Sequence, residues 1–249
     1  MSGHSKWATI KHKKGAADKA RAKVFNKIAR LLEVAAREGG PDPTSNAPLR
    51  TVVLKAKAAQ MTNDAIDRAI KRGAGLSDGG TYEALTYEGY APGGVALLVD
   101  ALTDNRNRTG ADVRNIFSKL GGSLAEPGAV GWQFSRRGVI TVSGGDEDTV
   151  MMAALEAGAD DVADDGDGTW RITSDPSIVY DVRDALHGQG LEVTSAESTM
   201  VSSMTVEVTD AADARKILRI MDALEDLDDV QDVYSNFDIS EELMEAVGE

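Results

Sequence analysis

The chain has 249 residues, 42% apolar and 27% charged, with a formal net charge of −14. That length suits one large domain or two to three small ones, and the apolar fraction is enough for packed cores. The absence of cysteine excludes disulfides, thiolate metal sites and a cysteine nucleophile, and fits a reducing cytoplasm. The net charge hides a split. Residues 1–75 carry 16 Lys and Arg against 6 Asp and Glu, whereas residues 76–249 carry 11 against 35. A phosphate backbone feels charge within a Debye length of roughly 8–10 Å, so the local concentration matters more than the total.

Residues 1–15 show no periodicity and read as a basic arm, without the apolar core of a signal peptide. Apolar stretches such as Val95 to Val99 are far short of the ~20 residues that cross a bilayer. A soluble cytoplasmic protein with no membrane partner is expected. A first helix is predicted from Ala16 to Glu38, ended by Gly39-Gly40 and the Pro41/Pro43 pair. Val24, Phe25, Ile28, Leu31, Leu32 and Ala35 give it one apolar stripe. Lys19, Lys23, Lys27, Arg30 and Arg37 recur at the same steps and fall within about 80° on the other side. A second helix is predicted from Pro48 to Gln60, and a third from the Thr62/Asn63 cap to Arg72. These add Lys55, Lys57, Arg68, Lys71 and Arg72, and Gly73–Gly80 reads as a linker.

Beyond the linker, strand-like runs alternate with helical patterns. The runs are 95–102, 139–143, 170–173, 191–195, 204–209 and 233–239. The helices are 109–120, 147–157, 176–187 and 211–225. Residues 138–197 read strand–helix–strand–strand–helix–strand, a ferredoxin-like unit. Strand–helix–strand segments on either side would form a second such unit interrupted by the first. The expected fold is therefore α+β and multidomain. A basic all-α domain (1–75) precedes a discontinuous α+β domain (81–137 with 198–240), into which a third (138–197) is inserted.

Catalytic and metal signatures are absent. His4 and His12 have no carboxylate at ligand spacing, and the third histidine is His187. The segment GYAPGGV (89–95) lacks the lysine and helix start of a phosphate-cradling loop and reads as a turn into a strand. The acidic run 160–167 lacks the last glutamate of an EF-hand loop and reads as a solvated hairpin turn. No cofactor, metal or small-molecule substrate is expected, and no enzyme.

Two features point to nucleic acid. The arm and stripe bear Lys6, Lys11, Lys13, Lys14, Lys19, Lys23, Lys27 and Arg30, with few acids among them. A purely structural helix surface usually mixes signs. Trp7 can stack on bases, while Phe25 lies on the apolar stripe and belongs to a core. The second feature is TDNRNRTGADVRN (103–115), where Arg106, Arg108 and Arg114 gather in an acidic region. Two readings stand. Arg106 and Arg108 precede a helix capped by Thr109 and form an anion site with its free N–H groups. Alternatively, the arginines pair with Asp104, Asp112 or Asp100.

The opening MSGHSKWATIKHKK resembles the N-terminus of the YebC/PmpR family. So do DKARAKVFNK (18–27), NDAIDRAIKRG (63–73), YEGYAPGGV (87–95) and LTDNRNRT (102–109), so the resemblance covers essentially the whole chain. It implies an all-α N-terminal domain plus two α+β domains, one inserted in the other. It also implies a DNA-binding transcriptional regulator whose contacts are the Lys and Arg of 6–30 and the loop 105–109. The alternative it implies is a factor on the ribosome or its RNA that relieves stalling at proline-rich stretches or activates translation. A protein-interaction module, whose acidic domains bind a basic partner, is a third reading. Two departures stand out: Ala91 where the turn of the family has glycine, and the acidic C-terminal two-thirds.

Overall fold

The computed structural model describes residues 17–78, 80–166 and 168–248. The fold is α+β, a three-helix domain followed by two α+β domains, one inserted in the other. By compactness the described chain divides into two units. One is 131–205, and the other combines everything before it with 206 onwards.

The larger unit begins with α1 (Ala17–Gly39), α2 (Ala47–Ala58) and α3 (Asn63–Gly73). Ile28 and Leu32 of α1 meet Leu49 and Ala56 of α2 and Ile66, Ala69 and Ile70 of α3 in one core, with Phe25 packed at its edge. The turn between α1 and α2 is organised by Asn46. Its Oδ1 accepts from the Leu49 amide at 3.0 Å, and its Nδ2 donates to the Ala35 and Gly40 carbonyls at 2.7 and 2.8 Å. Thr62 caps α3 through the Ala65 amide. At Gly73 the helices touch backbone to backbone: an added Cβ would lie 2.2 Å from the Glu33 carbonyl oxygen. Beside this contact Arg72 bonds the buried Glu33 carboxylate at 2.6 Å, fixing the crossing of α1 and α3.

The α+β part of this unit consists of β1 (Glu83–Ala91), β2 (Val95–Thr103), α4 (Arg106–Leu120) and β3 (Ser123–Leu124). After the insertion come β8 (Val206–Val208), α7 (Ala211–Glu225), β9 (Val230–Ser235), β10 (Phe237–Ile239) and α8 (Glu241–Gly248). The main sheet has the order β3-β1-β2-β9, and β8 pairs in parallel with β10 in a separate two-stranded sheet. Helices α4 and α7 cover a core of Val95, Leu97, Val99, Phe117, Ile217, Met221 and Phe237.

This part departs from the expected order in one respect. β1, a strand absent from the sequence reading, takes the place beside β2 that β8 would fill. The reason is local: nine residue pairs close through a three-residue turn, at far lower loop entropy than pairing with a strand a hundred residues away. GYAPGGV is that hairpin turn, with Gly93 and Gly94 at φ 76° and 78°. Ala91 precedes it in extended backbone (φ −92°) and is buried at 5% exposure, so no glycine is required there. The predicted strand 233–239 is broken at the buried Asn236, whose Oδ1 accepts from the Ala96 amide at 2.8 Å.

The inserted unit contains β4 (Phe134–Ser143), α5 (Glu147–Glu156), β5 (Asp161–Gly166), β6 (Thr169–Ser174), α6 (Val179–Gly188) and β7 (Glu192–Ser202). Its antiparallel sheet, ordered β5-β6-β4-β7, has ferredoxin-like topology, and its first and last strands in the chain, β4 and β7, reach beyond 138 and 197. Ile140, Val142, Val150, Ile172, Val182 and Leu186 form its core. Most of the acidic run is the edge strand β5 rather than a turn, and Asp165 within it faces Arg171 at 3.5 Å.

Candidate nucleic-acid interface

Lys6, Trp7, Lys11, Lys13 and Lys14 lie outside the described residues. Lys19 is in the first turn of α1, among residues whose side chains are not described. The rest of the stripe has a definite place. Lys23 donates to the carbonyl of Asp226 and, at 3.0 Å, to its carboxylate. Lys27 donates to the Glu225 carbonyl at 2.9 Å. Arg30 donates to the Asp228 carbonyl at 2.7 Å and to Asp229 Oδ1 at 2.9 Å, and its guanidinium lies 5.5 Å from the Tyr82 ring centroid. One face of α1 thus packs on its own bundle, and the opposite face grips the turn between α7 and β9.

The logic of that grip is electrostatic. Helix α7 ends at Glu225 with no basic residue in its last turn. Its final carbonyls carry the negative end of the helix dipole and lack intrahelical donors. Lys23 and Lys27 supply from α1 the cations that the last turn of α7 does not carry itself.

Asp229 is the point where the two basic features meet. Its side chain is 9% exposed and accepts from Arg30 through Oδ1. Oδ2 accepts from Arg108 at 2.7 Å, Thr109 at 2.7 Å and Thr103 at 3.1 Å. Burial pushes this carboxyl up, but the bonds from Arg108, Thr109 and Thr103 outweigh it and hold it below its ordinary value. Arg108 is held protonated above the ordinary arginine range by its bonds to Asp229 and Asp104.

The expected cap of α4 is corrected. Asn105, not Thr109, is the cap: its Oδ1 accepts from the Arg108 amide at 3.1 Å, and the helix starts at Arg106. Thr109 is buried inside the first turn, with its hydroxyl turned to Asp229. Arg106 and Arg108 therefore stand on the helix instead of before it. Arg106 pairs with Glu83 at 3.2 Å, and Arg108 with Asp104 at 2.8 Å as well as with Asp229. Arg114, exposed, has no ionic partner among the described residues and borders a cavity of about 540 Å³ with Arg106, Tyr87 and Ser118.

The sequence reading missed Asp229 and its neighbours. Their signal was present: four acids within five residues (225–229) follow a helix that ends without a cation. A second set of cations stays open. Arg21 on α1, Arg50, Lys55 and Lys57 on α2 and Lys71 on α3 are exposed, with no carboxylate partner among the described residues. At ~100° per residue Arg50 and Lys57 share a sector of about 60° with the half-exposed Leu54, one face of α2.

Two family models match the chain: the TACO1/YebC protein N-terminal domain over residues 5–76, and the TACO1/YebC second and third domain over 82–237. Similar proteins include a probable transcriptional regulatory protein of Rubrobacter xylanophilus, 55% identical over 99% of each chain. That of Methylococcus capsulatus is 53% identical over the whole of both. The crystal structure of a conserved hypothetical protein, Aq1575, from Aquifex aeolicus matches with a TM-score of 0.77. It is 43% identical and the match covers 90% of this chain and 93% of that one.

Proposed function

Because the chain belongs to the TACO1/YebC family, we propose that it is a non-enzymatic cytoplasmic regulator of transcription that acts by binding DNA. The relatives named as probable transcriptional regulatory proteins support the regulatory role. The observation that carries the binding role is the open set on the helical domain. Arg21, Arg50, Lys55, Lys57 and Lys71 stand exposed and without carboxylate partners among the described residues, in a chain that is acidic elsewhere.

In this reading the open cations and the arm, with Lys6, Trp7, Lys11, Lys13, Lys14 and Lys19, meet the phosphate backbone. Lys23, Lys27, Arg30, Arg106 and Arg108 already hold acceptors of the chain itself, so they reach phosphate only by exchanging one anion for another. Arg114 is open at the edge of its cavity. The acidic α+β domains repel the duplex and restrict the orientation in which the helical domain approaches it. Such contacts position a protein on DNA, and sequence choice then comes from DNA shape and deformability or from a few added base contacts.

The test is recovery of the full chain from cells after crosslinking, with sequencing of the attached nucleic acid. Enrichment of promoter DNA is the expected result. Ribosomal RNA at a defined site would overturn the DNA reading in favour of a translation factor, and the absence of attached nucleic acid would overturn both.

A further inference from the structure

We propose that the outer face of α5 is a docking surface for a basic amphipathic segment of another protein. Residues 150–155 of this helix, Val-Met-Met-Ala-Ala-Leu, are all apolar. A helix that is apolar all round normally has cover on all sides. Here Val150, Ala153 and Ala154 face the core of the inserted unit, while Met151, Met152 and Leu155 are 40%, 63% and 69% exposed. At ~100° per residue these three share an arc of about 100°. Two methionines beside a leucine make a surface that adapts its shape to an apolar partner.

The charge around this arc selects the occupant. Asp148 projects within it, and Glu147 and Glu156 flank it at about 40° on either side. Glu156 accepts from Gln189 Nε2 at 3.3 Å through one oxygen. The neighbouring edge strand β5, against which α5 packs, adds Asp164, which lies on the same sheet face as the core residue Val162. Residues 131–205 hold four arginines and no lysine against fourteen Asp and Glu. Nucleic acid is repelled by such a surface, and two copies placed face to face would bring their carboxylates together. A segment with Lys or Arg around aliphatic anchors satisfies both the apolar ridge and its acidic rim. The proposal is independent of the DNA-binding reading, which concerns the other unit.

The probe is a synthetic helical peptide of leucine and lysine in amphipathic order, titrated into the isotope-labelled full chain and followed by amide chemical shifts. The expected result is shifts concentrated in 147–156. Met152→Ser with Leu155→Ser should weaken binding about tenfold or more, at unchanged circular dichroism because both side chains are exposed. Glu147→Lys with Asp148→Lys should weaken it as well while leaving the apolar ridge intact. The proposal is overturned if shifts appear only elsewhere, or if a scrambled peptide of the same composition binds equally. It also fails if neither variant loses affinity. Sedimentation of the wild type as a dimer that the serine variant turns monomeric would assign the face to a second copy and overturn it too.

Discussion

The helical domain carries two sets of cations that composition alone does not separate. Lys23, Lys27 and Arg30 are partly buried and hold carbonyls and carboxylates of the 225–229 turn, whereas Arg21, Arg50, Lys55, Lys57 and Lys71 face solvent. The first set joins the helices to the α+β part of the same unit. The second is free to meet an outside anion. A one-signed helix face, read in isolation, marks either an external anion or an internal one. Here the longest such face is internal.

The strongest way to break the contrast is to remove the acceptor that unites it. Asp229→Ala leaves Arg30 and Arg108 without their shared carboxylate and the buried Thr103 hydroxyl without its acceptor, while the Thr109 hydroxyl falls back on the Asn105 carbonyl. Breaking one side of a buried ion pair costs about 3–5 kcal/mol, and the half-exposure of Arg108 lowers this to about 2–3 kcal/mol. Urea unfolding should show the loss as a lower midpoint.

Asp229→Asn adds a pH signature. The folded-state carboxyl is held below its ordinary value. Its stabilisation is therefore complete above the unfolded value of about 3.9 and is lost as pH falls through the lower, folded one. Wild type should lose more stability than the Asn variant as pH falls below about 4. Parallel acid curves would show that this carboxylate contributes nothing through its charge.

A smaller effect is expected from the lysines that serve α7. Lys23→Ala with Lys27→Ala strips the terminal carbonyls of α7 of their donors, at about 0.3–1 kcal/mol for each partly exposed contact. The amides of the last α7 turn should then exchange faster with solvent. Unchanged exchange there would show that the helix end is held by its own C-cap alone.

The reach of the sequence follows the range of the forces. Helices α1 and α7 were legible almost to the residue, because an apolar stripe, a capping residue and a glycine or acidic stop are local signals. The inserted ferredoxin-like unit was legible in β4, β6 and β7, short apolar runs beside clear helices, whereas its acidic edge strand β5 read as a turn. β1 was not, since Glu83–Ala91 alternates half-exposed residues with no continuous apolar run. The cap of α4 was misplaced because Thr103, Asp104, Asn105 and Thr109 are all capable of capping. What takes Thr109 out of that role is a carboxylate 120 residues away. The same distance hid the partner of the stripe. Its residues were visible, but what faced them was a matter of tertiary packing.

The open set provides the finest test, because its effect on stability should be close to zero. Arg50→Ala, Lys55→Ala, Lys57→Ala and Lys71→Ala together remove four exposed side chains without ionic partners among the described residues, so each should change stability by less than about 0.5 kcal/mol. If each neutralises a phosphate of duplex DNA, the slope of log affinity against log salt should fall by roughly 3–4 units. Replacing Lys23 and Lys27 should change that slope by less, since their donors are already taken up by α7. The reverse ranking would mean that DNA displaces the 225–229 turn from α1. Binding would then loosen the hold of the helices on the α+β part, and the amides of the last α7 turn should lose protection in the complex.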